Sequence, residues 1–406
     1  MRRHQLTRRG FFRATAATGA AAATVQILAG CSHPADEQSP SEPVVVEENS
    51  AISVLGEDGA FAYADRAFES RGEWELSLGN VLHEGEGTWL PVTTAGASAT
   101  PMVKGSAFSI ESGELKEVVA GPISSNSPNV VIYDARCSDA AYAWVELDTL
   151  AKTWSLHAAA FSDGALTEKA NTLWEGDADW DPPRFAVTGN KVIWLVMPSA
   201  SGNKTTENSH CYLWKTGASD ASDVVESQGR FATAPSVSGD TVTLTPRVNT
   251  EEGTFYGITA YSLADDLSTI VDQLVMPEGV RPFHAVRVGE SFVLSVEADY
   301  GFGGLLGAMG TYIATSDGNF LSIAREPYTN VAGTKNGLVV VKSRASYFVI
   351  DTANSSYSVL GAANRCVDYG EFPARVGECG TFVTFSTIKN ADNGYPASVL
   401  VRAFAL

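Results

Sequence analysis

The sequence predicts an all-β domain assembled from repeated units of about fifty residues. From Ala51 onward, short runs rich in Val, Ile, Phe, Tyr and Trp alternate with turns built from Gly, Asn, Asp, Ser and Pro, a pattern typical of β-strands. One phrase, an apolar run broken by a central glycine, occurs three times. Its glycines, Gly189, Gly239 and Gly289, are fifty residues apart. A period of this length indicates an array of one supersecondary unit.

Short strands at this period favour a β-propeller over a sandwich or a barrel. We expect seven blades of four antiparallel strands, and the irregular first unit leaves six or eight as alternatives. The predicted units are 60–121, 122–176, 177–228, 229–277, 278–327, 328–363 and 364–406. The last unit lacks a fourth strand. We expect residues 49–55 to supply it, so that pairing of the N- and C-terminal strands closes the ring and leaves no open edge.

The turns of the units follow from local backbone chemistry. We expect each repeat glycine in the hairpin between the first and second strands of its blade, where a tight turn requires positive φ. Ser162-Asp163-Gly164 is a further hairpin signal within the second unit.

Across residues 50–406 the chain resembles the β-propeller superfamily, and in particular bacterial secreted or lipid-anchored propeller proteins. The resemblance is architectural and identifies no named repeat family. It implies a rigid ring whose ligand sites lie on one face, formed by the loops that join second to third strands and one blade to the next.

The first thirty residues have the features of an export signal. Arg8 and Arg9, followed by Phe11 and Phe12, precede an Ala-rich apolar run and resemble a twin-arginine translocation signal. Residues 28–31 resemble a lipobox, which implies that Cys31 is lipidated and becomes the mature N-terminus.

This N-terminus predicts a domain order and a location. Residues 1–30 form the signal, and residues 31–49, rich in Pro, Ser and acids, form a disordered tether before the propeller of residues 50–406. We expect the protein on the outer face of a bacterial cytoplasmic membrane, or on an outer membrane. A membrane-spanning anchor in residues 11–28 is the alternative, at the short limit for a span.

The charge of the chain argues against nucleic-acid binding. The whole chain has a formal net charge of −19, and removal of the arginine-rich signal leaves 23 basic against 47 acidic side chains, a net of −24. Such a surface repels nucleic acid. The expected partners are therefore the membrane, through the lipid, and a protein or envelope ligand.

The remaining cysteines favour a disulfide over a metal site. Cys366 and Cys379 are thirteen residues apart in the last unit, and an oxidising compartment would permit a disulfide between them. Cys137 and Cys211 either pair between units or stay buried as free thiols. No C-x-x-C motif occurs.

An acidic stretch is the first candidate ligand site. Asp177, Asp179 and Asp181 alternate around Trp180. Converging carboxylates are the ligands that Ca²⁺ prefers, although the glycine and distal glutamate of an EF-hand are absent. The alternatives are an acidic turn between blades and, less favoured, one half of a glycosidic acid–base pair. No other cofactor is identified.

Three arginines near the start of successive units are the second candidate. Arg184, Arg230 and Arg281 are expected near the channel, where they either grip an anionic ligand or pair with acids between blades. Their offsets from the repeat glycines differ, so the sequence does not place them at one level of the ring.

The remaining motifs favour binding over catalysis. The glycine-rich stretch 299–310 fails the G-x-G-x-x-G pattern and predicts either a loop that docks a partner or a loop that folds over its own blade or fills the centre of the ring. No G-x-S-x-G or H-E-x-x-H occurs, and no catalytic residue is predicted. We expect a binding or scaffolding module. The alternatives are a glycan- or peptide-directed hydrolase or lyase that uses carboxylates of the loop-bearing face, and an exported redox accessory.

Overall fold

The computed structural model describes residues 44–45, 51–56, 59–96, 102–248, 253–276, 280–297, 309–315, 319–324, 328, 330–343, 346–363 and 370–406. These residues form strands and turns with no α-helix, which confirms the all-β prediction. None of the described chain is helical over a stretch long and apolar enough to cross a bilayer. The predicted signal with Cys31, most of the tether, residues 299–308 and Cys366 lie outside the described residues.

Four strands precede the repeated units, and the units then supply their strands in chain order. The leading strands are β1 (Val44–Val45), β2 (Ala51–Ser53), β3 (Ala62–Tyr63) and β4 (Ser70–Ser77). Sheet 1 contains β5 (Asn80–Leu82), β6 (Trp89–Thr94), β7 (Lys104–Ser109) and β8 (Leu115–Val119). Sheet 2 contains β9 (Val130–Cys137), β10 (Ala141–Asp148), β11 (Trp154–Ser162), β12 (Ala165–Leu166) and β13 (Asn171–Gly176). Sheet 3 contains β14 (Arg184–Thr188), β15 (Lys191–Val196), β16 (Ser209–Lys215) and β17 (Ser222–Ser227).

The second half of the chain builds four more sheets. Sheet 4 contains β18 (Ser236–Ser238), β19 (Thr241–Leu244), β20 (Arg247–Val248), β21 (Phe255–Ser262) and β22 (Ile270–Val275). Sheet 5 contains β23 (His284–Val288), β24 (Ser291–Val296), β25 (Gly310–Ala314) and β26 (Phe320–Ala324). Sheet 6 contains β27 (Ala332–Gly333), β28 (Leu338–Lys342), β29 (Ser346–Asp351) and β30 (Ser356–Gly361). Sheet 7 contains β31 (Glu371–Pro373), β33 (Thr381–Lys389) and β34 (Pro396–Ala405), and β32 (Gly377–Glu378) between them pairs with sheet 6.

The N-terminal strands run along the outside of the ring. β1, β2 and β3 pair in parallel with the outer strands of sheets 4, 5 and 6 in turn. β4 then pairs antiparallel with the C-terminal β34 and completes sheet 7. The two residues of β1 belong to the segment that the sequence assigns to the tether. These strands cover edges that would otherwise be open to pairing.

The prediction that residues 49–55 close the last unit is wrong, because β4 holds that position. β4 has eight residues to match the long β34, and Leu76 on it is buried while Trp74 packs against the same cluster. β2 has only three residues, and two of them are exposed. Burial of an aromatic face therefore selects β4 over the shorter apolar run.

The sheets form a propeller-like ring whose core lies between them. Seven clusters of buried apolar side chains each join one sheet to the next in chain order. The cluster that contains Leu76, Leu90, Phe108, Val383 and Val401 joins sheet 7 back to sheet 1. Around the axis, the first strands β9, β14, β18 and β23 of sheets 2 to 5 contact one another in turn, so these strands line the channel.

The antiparallel order gives the ring two different faces. The loops between second and third strands and between one sheet and the next share one end, here called the loop face. The hairpins between first and second strands share the other end, the turn face. Gly189, Gly239 and Gly289 lie in these hairpins with φ of 49°, 58° and 59°, as predicted. The hairpin predicted at residues 162–164 joins β11 to β12.

Candidate functional site

A short segment crosses the channel near the turn face. Residues 374–379, here called the plug, lie between β31 and β33, and their residues Gly377 and Glu378 pair in parallel with β27 of sheet 6. Gly377 has φ of 69°, and a Cβ there would lie 2.3 Å from the carbonyl oxygen of Val237 in sheet 4. Only glycine fits this approach.

Glu378 ties the plug to sheets 4 and 5. Its backbone N–H donates to Ser238 Oγ over 3.0 Å. Its carboxylate accepts the backbone N–H of Gly289 over 2.8 Å. The same carboxylate lies 2.9 Å from the place of a Cβ on Gly239. Two of the three repeat glycines therefore pack against this one side chain.

Arg375 ties the plug to sheet 1 from the other side. Its Nη1 donates to the carbonyl oxygen of Gly85 over 2.8 Å, and its Nη2 donates to that of Gly87. The side chain is buried, and this burial lowers the pKa of its guanidinium, although nearby thiols and carboxylates oppose the shift. The plug thus joins sheets 1, 4, 5 and 6 across the turn-face end of the channel.

A charged cluster lies where sheets 1 and 2 meet. His83 Nδ1 is 3.0 Å from Asp134 Oδ1, and His83 Nε2 is 2.8 Å from Thr93 Oγ1. Arg136 Nη1 donates to Asp134, and its Nε is 3.9 Å from Glu84 Oε2. A histidine, two carboxyls and a guanidinium therefore converge within ion-pair distance on the inner strands.

The two carboxyls of this cluster have opposite pKa shifts. Burial disfavours the charge of Asp134, but Arg136 and His83 outweigh it and hold the pKa below its ordinary value. Burial raises the pKa of Glu84, and the attraction of Arg136 only partly offsets this effect. A pair of carboxyls with separated pKa values is the arrangement that acid–base catalysis uses.

The loop-face end of the channel exposes aromatic side chains. Tyr133 on β9, Phe283 just before β23 and Phe372 on β31 are 53%, 40% and 43% exposed. All three lie on or beside first strands of their sheets. Exposed aromatic side chains at a ring mouth are suited to contact with a ligand or partner.

The three predicted channel arginines converge at this end. Arg184 Nη1 and Arg281 Nη2 donate to the same acceptor, the carbonyl oxygen of Ala232, over 3.4 and 3.3 Å. Arg230, two residues before Ala232, donates to Asp181 and to the carbonyl oxygen of Pro198. Burial lowers the pKa of Arg184, and the neighbouring charges of Arg230 and Arg281 lower it further.

The carboxylates of the acidic stretch have separate partners. Asp177 accepts the backbone N–H of Asp179, Asp179 accepts the N–H of Asn203 over 2.8 Å, and Asp181 pairs with Arg230. Within the described ranges no three His, Cys, Asp or Glu side chains are grouped to hold a metal ion. The calcium site stays a prediction.

Trp180 and the cysteines have packing roles in the structure. The carbonyl oxygen of Trp180 accepts the indole N–H of Trp154 over 3.0 Å, and Lys204 lies 4.8 Å from the Trp180 ring. Cys137 and Cys211 are buried free thiols, and Cys379 has no disulfide partner among the described residues. Burial raises the pKa of Cys379 to about 11. Since Cys366 lies outside the described residues, its disulfide with Cys379 stays a prediction.

Sequence reasoning missed the plug and the charged cluster. In the sequence, the plug belongs to one strand-like run. The feature that could have distinguished it is a glycine between two charged residues, Arg375 and Glu378. His83 and Asp134 are fifty-one residues apart and meet because β5 and β9 are first strands of adjacent sheets.

No protein-family model matches the chain, and no curated protein matches its sequence. Solved structures share its overall shape at low identity. Pyrococcus horikoshii acylaminoacyl peptidase has 12% identity and a TM-score of 0.47, over 79% of this chain and 50% of that chain. A chain of the Mitotic Checkpoint Complex has 7% identity and a TM-score of 0.48, over 93% and 98%. Prp20p from Saccharomyces cerevisiae has 6% identity and a TM-score of 0.43, over 85% and 93%.

The chain spans about half the length of the peptidase chain that it matches. At these identities and scores, the likenesses carry no argument about what this chain binds. The propeller-like arrangement stands on the chain's own sheets and on the clusters between them.

Proposed function

We propose that the protein is an exported, lipid-anchored β-propeller that binds a partner protein or an envelope ligand at its loop face. In this proposal each of the seven sheets is one blade. The observation that carries the proposal is the difference between the two ends of the channel. The plug crosses the turn-face end, whereas the loop-face end exposes Tyr133, Phe283 and Phe372.

The ring is suited to present such a surface. Hydrogen bonds of Glu378 and Arg375 join sheets 1, 4 and 5 through the plug, whose backbone also pairs with sheet 6, and buried clusters join each sheet to the next. The loop-face side chains are therefore held by a rigid frame, which reduces the entropy lost on binding. Loops on such a frame are where binding residues concentrate in proteins.

The proposed lipid anchor is compatible with a loop face that points outward. Twelve residues separate Cys31 from Val44 and reach about 40 Å at most. β1 is parallel to β22, which as a fourth strand runs from the turn face toward the loop face. Val44, the first residue of β1, therefore lies at the turn-face end of that strand. Lipidation of Cys31 would place the turn face nearer the membrane.

Site-specific photocross-linking in membranes tests this function. A photoreactive p-benzoylphenylalanine replaces Phe283 at the channel mouth in one variant. It replaces Tyr63, which is 59% exposed on the outer strand β3, in the matched control. We expect a discrete adduct from position 283 and none from position 63. Equal labelling at both positions, or no adduct at position 283, would reject loop-face binding.

Hydrolysis is a second candidate function, favoured by the carboxyls of the charged cluster. Glu84 retains its proton to a higher pH than usual and Asp134 ionises at a lower one, which suits a general acid and a base. On this candidate, wild-type protein cleaves a chromogenic glycoside or a peptide, and Glu84→Gln lowers kcat with little change in KM. Absence of turnover by the wild type on both substrate classes rejects it.

A further inference from the structure

The three arginines at the channel mouth come from separate parts of the ring. Arg184 begins β14 of sheet 3, Arg230 lies in the connection from sheet 3 to sheet 4, and Arg281 lies in the connection from sheet 4 to sheet 5. Arg184 and Arg281 nevertheless donate to one backbone oxygen, that of Ala232. Two connections of the loop face thus bring three guanidinium groups into one neighbourhood.

The positive charge of this group is only partly balanced. In the part of the chain that the structure describes, Asp181 is the one carboxylate paired with any of the three, and it pairs with Arg230. Arg184 and Arg281 have only the carbonyl oxygen of Ala232 as a hydrogen-bond acceptor there. Among the described residues, three guanidinium groups against one paired carboxylate leave a local excess of two positive charges. The rest of the protein is strongly acidic.

Like charges held together cost free energy unless an anion accompanies them. Burial lowers the pKa of Arg184, and the positive charges of Arg230 and Arg281 lower it further. Arginine remains protonated at neutral pH in spite of such shifts. Each guanidinium carries five N–H donors in a planar fork, and most of the donors of Arg184 and Arg281 have no acceptor among the described residues, which leaves them available to a ligand.

We propose that Arg184, Arg230 and Arg281 form a subsite for the oxyanion group, a carboxylate or a phosphate, of the ligand that the loop face binds. The fork of an arginine matches both groups by paired N–H···O bonds. Aromatic surface flanks the subsite. Phe283 is two residues beyond Arg281, and Tyr133 lies near enough to Arg184 to affect its titration. The ligand therefore carries its oxyanion beside an apolar or planar group.

The subsite rests on the proposed function and makes it specific. A purely structural role is the competing explanation, since the two bonds to Ala232 also hold the connection between sheets 3 and 4. The two roles differ in their consequences. A structural arginine changes stability alone, whereas a ligand-binding arginine changes anion affinity in a protein that remains folded.

Calorimetric titration with inorganic phosphate and with succinate, at constant ionic strength, tests the subsite. We expect wild-type protein to bind at least one probe with a Kd below about 1 mM. Arg281→Gln should weaken that affinity about tenfold or more, because a charge-assisted bond is lost. Arg281 is exposed, so this variant should fold, and its thermal midpoint without a probe confirms that.

Arg287→Gln is the matched control, since Arg287 lies on β23 of sheet 5 and is ion-paired with Asp272 at 3.5 Å. It should bind the probe as the wild type does. No binding by the wild type, unchanged affinity in Arg281→Gln, or an equal loss in Arg287→Gln would overturn the subsite. The tighter probe identifies the ligand group as phosphate or carboxylate.

Failure of the subsite and failure of the proposed function give different results. An adduct at position 283 that persists in Arg281→Gln, with no probe bound by the wild type, removes the subsite and keeps loop-face binding. Probe binding that depends on Arg281, with no adduct at position 283, keeps the anion site and removes the proposed macromolecular contact.

Discussion

Replacement of Glu146 by Gln should destabilise the ring in a pH-dependent manner. Glu146 is buried on β10 and accepts the backbone N–H groups of Ile123 and Ser124, each over 2.8 Å, and the indole N–H of Trp144 over 2.9 Å. Burial alone would raise its pKa, but these bonds and His157 outweigh burial and lower the pKa of Glu146 from 4.5 to about 2. The carboxylate thereby anchors the connection from sheet 1 to sheet 2 at the loop face.

The size and sign of the effect follow from that shift. One pKa unit corresponds to about 1.4 kcal/mol, so the charged form contributes about 3 kcal/mol to the free energy of unfolding. Because the pKa is lower in the folded state, this contribution is present above pH 4.5 and is lost as the pH falls toward about 2.

Urea unfolding followed by tryptophan fluorescence at pH 7, 4 and 3 measures the contribution of Glu146 to the free energy of unfolding. Glu146→Gln should be about 3 kcal/mol less stable than the wild type at pH 7, and the difference should shrink at pH 3. Glu117→Gln, which removes half of an exposed ion pair with Lys104, is the control and should cost less than about 1 kcal/mol. A difference between Glu146→Gln and wild type that is absent at pH 7, or as large at pH 3, would refute this reasoning.

Three other predictions address the plug, the ring closure and the export signal. Gly239→Ala should lower the free energy of unfolding by about 1–3 kcal/mol. In thermal unfolding, the double variant with Glu378→Ala should lose less stability than the sum of the two single variants, because Glu378 lies where the new Cβ would be. An additive loss would contradict this contact. A chain that begins at residue 66 loses β1 to β3 but keeps β4. It should be more stable and aggregate less than a chain that begins at residue 80, which also exposes the edge of β34; equal stability and aggregation of the two chains would contradict closure by β4. Arg8→Lys with Arg9→Lys should abolish export in cell fractionation, and mass spectrometry of the mature protein should detect no peptide before Cys31; detection of such a peptide would contradict processing at Cys31.

Features set by local backbone chemistry were predictable from the sequence. The repeat glycines lie in the expected hairpins because a two-residue turn requires positive φ. A glycine at the turn position indicates that requirement without knowledge of any distant contact. The boundaries of the units that form sheets 2 to 5 follow in the same way, since turn residues separate their strands. The predicted first unit, 60–121, is wrong at its start, because β3 and β4 lie within it and pair with sheets 6 and 7.

Features set by contacts between distant segments were not predictable. The choice of β4 rather than residues 49–55 as the closing strand depends on which segment buries Trp74 and Leu76 against β34. The offsets of the three arginines from the repeat glycines differ, so the sequence did not place them at one level of the ring. Connections of different length nevertheless bring Arg184 and Arg281 to the same oxygen of Ala232.

The plug illustrates the same limit more strongly. Its paired part, Gly377 and Glu378, is too short to show a periodic pattern of apolar residues. Position 377 requires glycine because a side chain there would collide with the backbone oxygen of Val237, 140 residues away in sheet 4. A sequence pattern reports neighbours along the chain, whereas the need for this glycine arises from a neighbour across the channel.

The central claim is that a partner binds the loop face through an oxyanion held at the channel mouth. The most direct measurement is the yield of the photocross-linked adduct at position 283 in native membranes, with and without the tighter of the two anion probes. The account predicts a discrete adduct that the probe suppresses and that Arg281→Gln diminishes, with no adduct at position 63. An adduct of equal yield at positions 283 and 63, unaffected by the probe and by Arg281→Gln, would contradict it.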